Sequence, residues 1–224
     1  MSNSISSASY TSKSPSSSST STSTSSPLLH FPTPHSTYTI NLETASTISP
    51  TELEQCFELI TLTSSSAYQA SGLGWIPDKK RQEMRLPDMR YLIVRNSAAG
   101  HAGHAEKGEG EGEGEEKEKV QVEGFCSFML TYEDGREVVY CYELHLAPRL
   151  RRLGLGKKLM GLVEGVGRKV GVEKAMLTVF VENRGGRRFY EGLGYKVDEY
   201  SPRPRRLRGG VVKEPTYLIL SKRL

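Results

Sequence analysis

Arg151-Arg152-Leu153-Gly154-Leu155-Gly156-Lys157 separates two segments of different character. Before it, Val138 to Leu146 reads as a strand. After it, an amphipathic helical run continues to about Val170. A short basic turn with two glycines between strand and helix suits a diphosphate. Gly154 and Gly156 carry no side chain, so backbone N–H groups can approach phosphate oxygens closely. The helix N-terminus beyond them adds unpaired donors and the positive end of its dipole. A phosphate-bearing cofactor is therefore expected, and two common ones are excluded by spacing. A P-loop needs four residues between its glycines, followed by Lys and Ser or Thr, but here Lys158 precedes Leu159. A dinucleotide fingerprint needs a third glycine where Leu159 stands, and it opens its fold rather than following several strands.

Outward from the turn, the chain reads as one domain with two low-complexity attachments. The first 26 residues are Ser/Thr-rich, and roughly Ser97 to Lys119 is Gly/Glu-rich. Neither buries enough apolar surface to offset its ordering entropy. The expected organisation is a disordered leader over 1–36 and a folded domain over 37–224, interrupted by a disordered insertion at about 97–119. No apolar run reaches the ~20 residues that cross a bilayer, and the leader lacks the apolar centre of a secretory signal. No membrane association is expected. Cys56, Cys126 and Cys141 form no CxxC pair, so buried reduced thiols are expected rather than a disulfide framework or zinc site.

Within the domain, Tyr38, Ile40 and Leu42 alternate as a first strand. Ser49-Pro50-Thr51-Glu52 is a helix start, with Ser49 as cap, Pro50 at the first helical position and Glu52 completing a capping box. Leu53, Phe57, Ile60 and Leu62 supply its apolar stripe, and Pro77-Asp78 opens a shorter helix. Tyr91 to Val94, Val120 to Tyr132 and Glu137 to Leu146 are strands, the last two joined through Asp134-Gly135 as a hairpin. After the glycine turn and its helix come an apolar strand from Ala175 to Val181, a helix from Arg184 to Leu193 ended by Gly194, and strands at Tyr195 to Val197 and Thr216 to Ser221.

Arg151-x-x-Gly154-x-Gly156 between strand and helix resembles the pyrophosphate turn of the GNAT N-acetyltransferase superfamily. Asn183 and the run Arg188-Phe189-Tyr190-Glu191-Gly192-Leu193-Gly194-Tyr195 resemble that superfamily's last helix and its ending. The resemblance implies acetyl-CoA as cosubstrate, no metal, and an α/β (α+β) GNAT fold. That fold is a mixed, mostly antiparallel central sheet of about seven strands flanked by about four helices. Tyr140-Cys141-Tyr142-Glu143, Met176 to Phe180, Trp75 ahead of Lys79 to Met84, and Tyr217 to Ser221 are similar to the D-type N-alpha-acetyltransferase family. That family acetylates the amino-terminal serine of histone 4 and histone 2A.

The reaction so implied is attack of a neutral amine on a thioester. A terminal α-amine has a pKa near ~8 against ~10.4 for lysine, so its deprotonation asks for modest help. Glu143, on the strand entering the turn, is the candidate base. It serves alternatively as a binder of the substrate's positive charge, or as the partner of a surface basic residue. Tyr142 adjoins it, and on a regular strand the two would face opposite ways. Tyr190 occupies the place of a general-acid tyrosine in many superfamily members, or else covers the cofactor as a core tyrosine. By resemblance, Leu144, His145 and Leu146 present backbone groups to the cofactor's arm. His145 itself reads as a bystander in catalysis or, alternatively, as a catalytic base. Arg151, Arg152, Leu153, Gly154, Leu155, Gly156, Lys157 and Asn183 complete the cofactor set. Tyr68, Tyr142, Thr178, Ser201 and Tyr217 would line the acceptor pocket, Tyr68 and Tyr217 being alternatively packing aromatics. An aspartate expected near the hairpin turn is Thr131 here, with Glu133 or Asp134 as possible substitutes.

The formal charge of +4 conceals an asymmetry, since 19 Lys and Arg oppose 7 Asp and Glu from Arg149 onward. Arg203-Pro204-Arg205-Arg206-Leu207-Arg208 concentrates that excess. It is either a solvated loop, an attachment to chromatin or ribosomal RNA, or a further hold on the cofactor. Three functions follow: acetylation of histone-type amino termini; acetylation of other termini, lysines or small amines; and an inactive nucleic-acid-associated regulator. A monomer in nucleus and cytoplasm is expected.

Overall fold

Ser49 caps the first helix, α1 (Pro50–Ala70), through the expected reciprocal box: its hydroxyl accepts from the Glu52 N–H while the Glu52 carboxylate accepts from the Ser49 N–H. The computed structural model describes residues 29–33, 36–72, 74–96 and 121–224. Leu53, Cys56, Phe57 and Ile60 form the buried stripe of α1, whereas Leu62 is 72% exposed and lies off it. Leu62 follows Ile60 by two positions, about 200° around the helix, which turns it to solvent.

The chain order is β1 (Leu29–Pro32), β2 (Thr37–Thr44), α1, α2 (Pro77–Met84), β3 (Arg90–Asn96), β4 (Val122–Glu133) and β5 (Arg136–Leu146). There follow a 3-10 turn at Pro148–Leu150, α3 (Leu155–Val170), β6 (Lys174–Phe180), α4 (Arg184–Gly192), β7 (Lys196–Val197), β8 (Arg205–Arg206), β9 (Val212–Lys213) and β10 (Tyr217–Arg223). Eight strands form one sheet in the order β1-β2-β3-β4-β5-β6-β10-β7, and β8 and β9 form a separate ribbon. All neighbours are antiparallel except β5 and β6, which run parallel across the α3 crossover. Among the described residues, the mixed, mostly antiparallel sheet with four helices is the expected architecture.

One boundary differs. Leu29–Pro32, assigned on sequence to the leader, pairs with β2 from Leu29↔Ile40 to Pro32↔Thr37. This short apolar stretch ends on a proline that only an edge strand tolerates. Residues 1–28 and the insertion expected at about 97–119 lie outside the described residues.

Both faces of the sheet are covered. Tyr91, Ile93 and Phe125 pack with α1 and α2, while Leu92, Val94 and Cys126 pack with Leu155, Leu159, Met160 and Val163 of α3. Adjacent strand residues point to opposite faces, so double coverage turns β3 into the unbroken apolar run seen in the sequence. Cys126 and Cys141 meet inside with their Sγ atoms 3.6 Å apart, and all three cysteines are buried and free. No helix among the described residues is long and apolar enough to cross a membrane.

Candidate active site

Two irregularities in β5 create the site. Pairing with β4 runs from the hairpin to Phe128↔Cys141, then slips so that Ser127 faces Glu143. Tyr142 is the extra residue of a bulge, which re-aims side chains locally. Tyr142 and Glu143 consequently line the same cleft, although strict alternation would part them. The second irregularity is a splay. β5 and β6 pair only from Val138↔Lys174 to Cys141↔Leu177, while β6 continues along β10 to Tyr217↔Phe180. The sheet opens beyond Cys141, leaving the β6-facing edge of Tyr142 to Leu146 to border the gap. Such an edge can be read by an extended ligand as an added strand. Tyr140 Oη and Thr178 Oγ1, 2.5 Å apart, bridge the point where the strands part.

On the α3 side the gap becomes a cleft of about 620 Å³, bordered by Leu144 to Leu146, the glycine turn and α4. Arg152 (φ 66°) and Gly154 (φ 85°) both adopt left-handed conformations. Alternating left-handed residues ahead of a helix turn successive N–H groups inward, an anion-binding arrangement. Gly154 is the residue before α3, with no side chain competing for its first N–H groups. Gly156 faces Phe189, whose ring carbon would stand 3.2 Å from a β-carbon placed there. Arg151, Arg152 and Lys157 also line this cleft. The residues present therefore fit a diphosphate with an extended arm.

Toward α1 and α2 lies a cleft of about 400 Å³. Its floor is Glu143, 8% exposed, whose carboxylate accepts three hydrogen bonds. Tyr68 Oη donates to Oε1 at 2.7 Å, Lys80 Nζ to Oε1 at 2.8 Å, and His145 Nε2 lies 2.6 Å from Oε2. Burial alone raises this carboxyl, but the His145 contact and the Lys80 ammonium overcome it and hold the group at about 2. Glu143 is thus ionised at neutral pH and, by itself, a weak proton acceptor. Lys80 also donates to Glu83 Oε1 at 2.7 Å and to Tyr68 Oη at 2.8 Å. Burial opposes the Lys80 charge, yet Glu143, Tyr68 and Glu83 raise its pKa above the ordinary lysine value. Burial raises the Tyr68, Tyr142 and Tyr190 phenols, so all three keep their protons.

The two clefts share Ser64, Leu144, His145, Asn183 and Tyr190. These five residues form the boundary between the two clefts. Of the residues expected to bind the acceptor, Tyr68, Tyr142 and Thr178 line the cleft together with Glu143 and Tyr190. Three do not. Thr131 pairs with Val138 in the hairpin, and Glu133 reaches the cleft instead. Ser201 is buried, its Oγ accepting from the Ile219 N–H at 3.1 Å. Tyr217 begins β10 opposite Phe180, outside the cleft lining. On the cofactor side, Leu155 is a core residue of α3, and Leu153, 40% exposed, is not among the residues lining the cleft. Asn183 caps α4, accepting from the Gly186 N–H at 2.8 Å, and borders both clefts.

Lys80, Glu83, Ser64 and Tyr140 were given no site role on sequence, although Tyr140 and the Lys79 to Met84 run carry part of the resemblance. Lys80 sits in a polar octapeptide, Pro77–Met84, whose pattern does not mark one lysine as buried. The signal available was its four-residue spacing from Met84, which puts both on one helix face. Among the described residues, no group of three His, Cys, Asp or Glu side chains is arranged to hold a metal.

Comparisons with known proteins agree with this geometry. N-alpha-acetyltransferase 40 of Saccharomyces cerevisiae is 37% identical over 98 residues, covering 36% of this chain and 34% of that protein. The match thus spans about a third of the relative's length. PaiA N-acetyltransferase from Thermoplasma acidophilum, solved in complex with coenzyme A, is 17% identical with a TM-score of 0.50, over 83% of this chain and 99% of that one. An acetyltransferase from Streptococcus agalactiae is 14% identical with a TM-score of 0.53, over 83% and 98%. Those structural likenesses concern the fold. The model of the Acetyltransferase (GNAT) family matches residues 77–195, which hold the glycine turn, the splayed strands and the α4 cap. With more than half of its length so matched, the chain belongs to the acetyltransferase (GNAT) family.

Proposed function

We propose that this protein is an acetyl-CoA-dependent N-alpha-acetyltransferase acting on free amino-terminal serines of the histone 4 and histone 2A type, Ser-Gly-Arg-Gly. The observation that carries this reading is the junction of the two clefts above Glu143. A diphosphate cradle lies on one side of the shared residues and an acidic floor on the other. Acetyl-CoA supplies the thioester. Its diphosphate would be held by the turn from Arg151 to Lys157 and its arm by the edge of Leu144 to Leu146. Glu143, ionised and buried, receives the amino terminus, and Tyr142 and Thr178 close around it. Tyr190, keeping its proton, faces both clefts and is placed to supply a proton on the leaving side.

One feature supports a basic peptide as acceptor, and another a terminal amine. Glu83 and Glu133 line the same cleft as Glu143, so its lining carries three carboxylates. The yeast relative is named for N-alpha-acetyltransfer, and its match covers part of either chain. The second reading, transfer to other termini, lysines or small amines, uses the same floor. A Ser-Gly-Arg-Gly-Lys peptide compared with the same peptide blocked at its amino group separates them. Turnover lost on blocking supports the terminal assignment. Turnover that survives it moves the acceptor to a side chain.

The ribbon of β8 and β9 carries the remaining partner proposal. Arg203, Arg205, Arg206, Arg208 and Lys213 are exposed, and their side chains form no ion pair or hydrogen bond among the described residues. Unpaired guanidinium groups on a two-stranded ribbon suit phosphate backbones. Association with chromatin or ribosomal RNA is proposed on that charge, for a monomer present in nucleus and cytoplasm.

A further inference from the structure

The hydrogen-bond inventory around His145 does not close with a neutral ring beside an ionised Glu143. Thr63 has one hydroxyl proton, which it donates to the Leu59 carbonyl one helical turn back, at 2.7 Å. The 2.5 Å contact between Thr63 Oγ1 and His145 Nδ1 must then have the ring nitrogen as donor. That places a hydrogen on Nδ1. On the other side of the ring, Nε2 lies 2.6 Å from Oε2 of Glu143, too close for two lone pairs to face each other. A second proton therefore sits between them. Glu143 already takes Tyr68 and Lys80 on Oε1, so the shared proton belongs to Oε2 and Nε2. Of the roughly four lone-pair sites of a carboxylate, one is left, on Oε2.

We propose that His145 is the proton-holding partner of Glu143, and that the pair, not Glu143 alone, takes the proton from the acceptor amine. This rests on the acetyltransferase reading and deepens it. The arrangement described above is the loaded state of the pair. In the unloaded state His145 is neutral with hydrogen on Nδ1, and Glu143 is a carboxylate. The substrate's ammonium binds at the free site of Oε2. Its N–H bond breaks, the electron pair stays on nitrogen as the attacking lone pair, and the proton comes to rest between Oε2 and Nε2. As the N–C bond of the amide forms, the thioester C–S bond would break with its electron pair on the sulfur, which takes a proton from Tyr190 on the leaving side. A second amine proton leaves to water, and Tyr190 regains its proton from solvent. The pair then releases its own proton before the next turnover.

Placement makes this workable. His145 borders both clefts and is 6% exposed, so its proton is reachable from the junction and protected elsewhere. Thr63 on α1 fixes the tautomer and Phe125 on β4 covers the ring, the two centroids 5.5 Å apart. The charged and titratable groups facing the pair are Lys80 on α2, Tyr68 on α1, Cys141 on β5 and Tyr190 on α4, with Glu83 behind Lys80. Lys80 and Tyr68 crowd Oε1 with donors and leave Oε2 as the oxygen that can exchange a proton.

His145→Gln keeps a donor for Oε2 and cannot take a proton. Full-length protein and this variant are compared on the open Ser-Gly-Arg-Gly-Lys peptide from pH ~5.5 to ~9. The expected result is a fall in kcat of about 100-fold, with KM for peptide and acetyl-CoA little changed. The acid limb of kcat/KM also loses one ionisation, leaving that of the amine. Parent-like kcat with an unchanged limb overturns the proposal. A structural role alone would shift melting temperature and both KM values and leave the limb in place. A second readout needs no turnover: long-range 1H–15N correlation of the ring, assigned by its loss in His145→Gln. Two ring N–H groups are expected in the parent at the acid end of that pH range, giving way to Nδ1–H alone at the alkaline end, and Nδ1–H alone throughout in Glu143→Gln. A single ring N–H in the parent across the whole range overturns the pairing even if the enzyme is active. Two ring N–H groups in a protein that acetylates no amino terminus uphold the pairing and sink the acceptor assignment instead.

Discussion

Lys80 Nζ lies 2.8 Å from Glu143 Oε1, and both side chains are 8% exposed. A lysine from the short helix α2 thereby neutralises a carboxylate on the central strand, across 63 positions of sequence. Taking two such charges out of water is costly, and removing one partner leaves the other buried and uncompensated. Lys80→Met is expected to lower stability by about 3 kcal/mol, read as a shift in urea midpoint with unchanged slope. Lys80→Met with Glu143→Gln should recover much of that loss. A double variant as unstable as the sum of the singles would show that the two groups are not coupled.

Acid stability follows from the same carboxylate. Its folded pKa, about 2, lies below the ordinary 4.5, because the His145 and Lys80 contacts overcome the effect of burial. A depressed carboxyl contributes stability that is fully present above the unfolded value. That stability is lost as pH falls through the window from 4.5 to about 2. Urea titrations at falling pH should show this loss in the parent and a shallower one in Glu143→Gln. Equal slopes in the two proteins would mean that other carboxylates govern the acid limb.

Gly154 stands at φ 85° with open space around its α-carbon. Alanine there meets no neighbour, so its cost is conformational, about 1 kcal/mol. Gly154→Ala should therefore melt slightly lower yet weaken acetyl-CoA binding about 10-fold by calorimetry, since the donors of the turn are re-aimed. Unchanged affinity would place the diphosphate elsewhere.

Glu83 and Glu133 are the other carboxylates lining the cleft, Glu83 accepting from Lys80. Burial and then neighbouring Asp134 raise the Glu133 pKa above the usual value. Neutralising either to Gln should raise KM for a basic peptide about 10-fold, near 1.4 kcal/mol, with kcat nearly unchanged. A peptide with Ala in place of its Arg should be insensitive to the decisive one of the two.

The ribbon is tested by salt. Replacing Arg203, Arg205, Arg206 and Arg208 by Ala should weaken binding to duplex DNA or structured RNA and flatten the dependence of log K on log salt by about four counterion units. Peptide turnover should be preserved. Parent protein that shows no salt-dependent binding to either would leave these arginines as a solvated surface.

Much was determined by the sequence alone, because the signals are local. Ser49 and Glu52 cap α1 whatever surrounds them. The Asp134-Gly135 pair makes a hairpin from two adjoining strands. Arg151 to Gly156 states its chemistry through backbone freedom and charge within a single turn. The apolar periods of α3 and β6 identify their buried faces, and family likeness rests on these same short stretches. Tertiary structure decided what depends on two segments meeting. Lys80 and Glu143 are each an ordinary charged residue until α2 is laid over β5. The slip at Ser127 puts Tyr142 and Glu143 in one cleft, against the alternation a regular strand imposes. Packing also leaves Ser201 against the Ile219 N–H and Tyr217 opposite Phe180, and puts Glu133 rather than Thr131 in the cleft lining. Nothing within the strand of His145 reveals Thr63 on the far side of its ring. Strand periodicity states which residues share a face, but only packing states which donor meets which acceptor, and in a buried site that pairing determines where the proton resides.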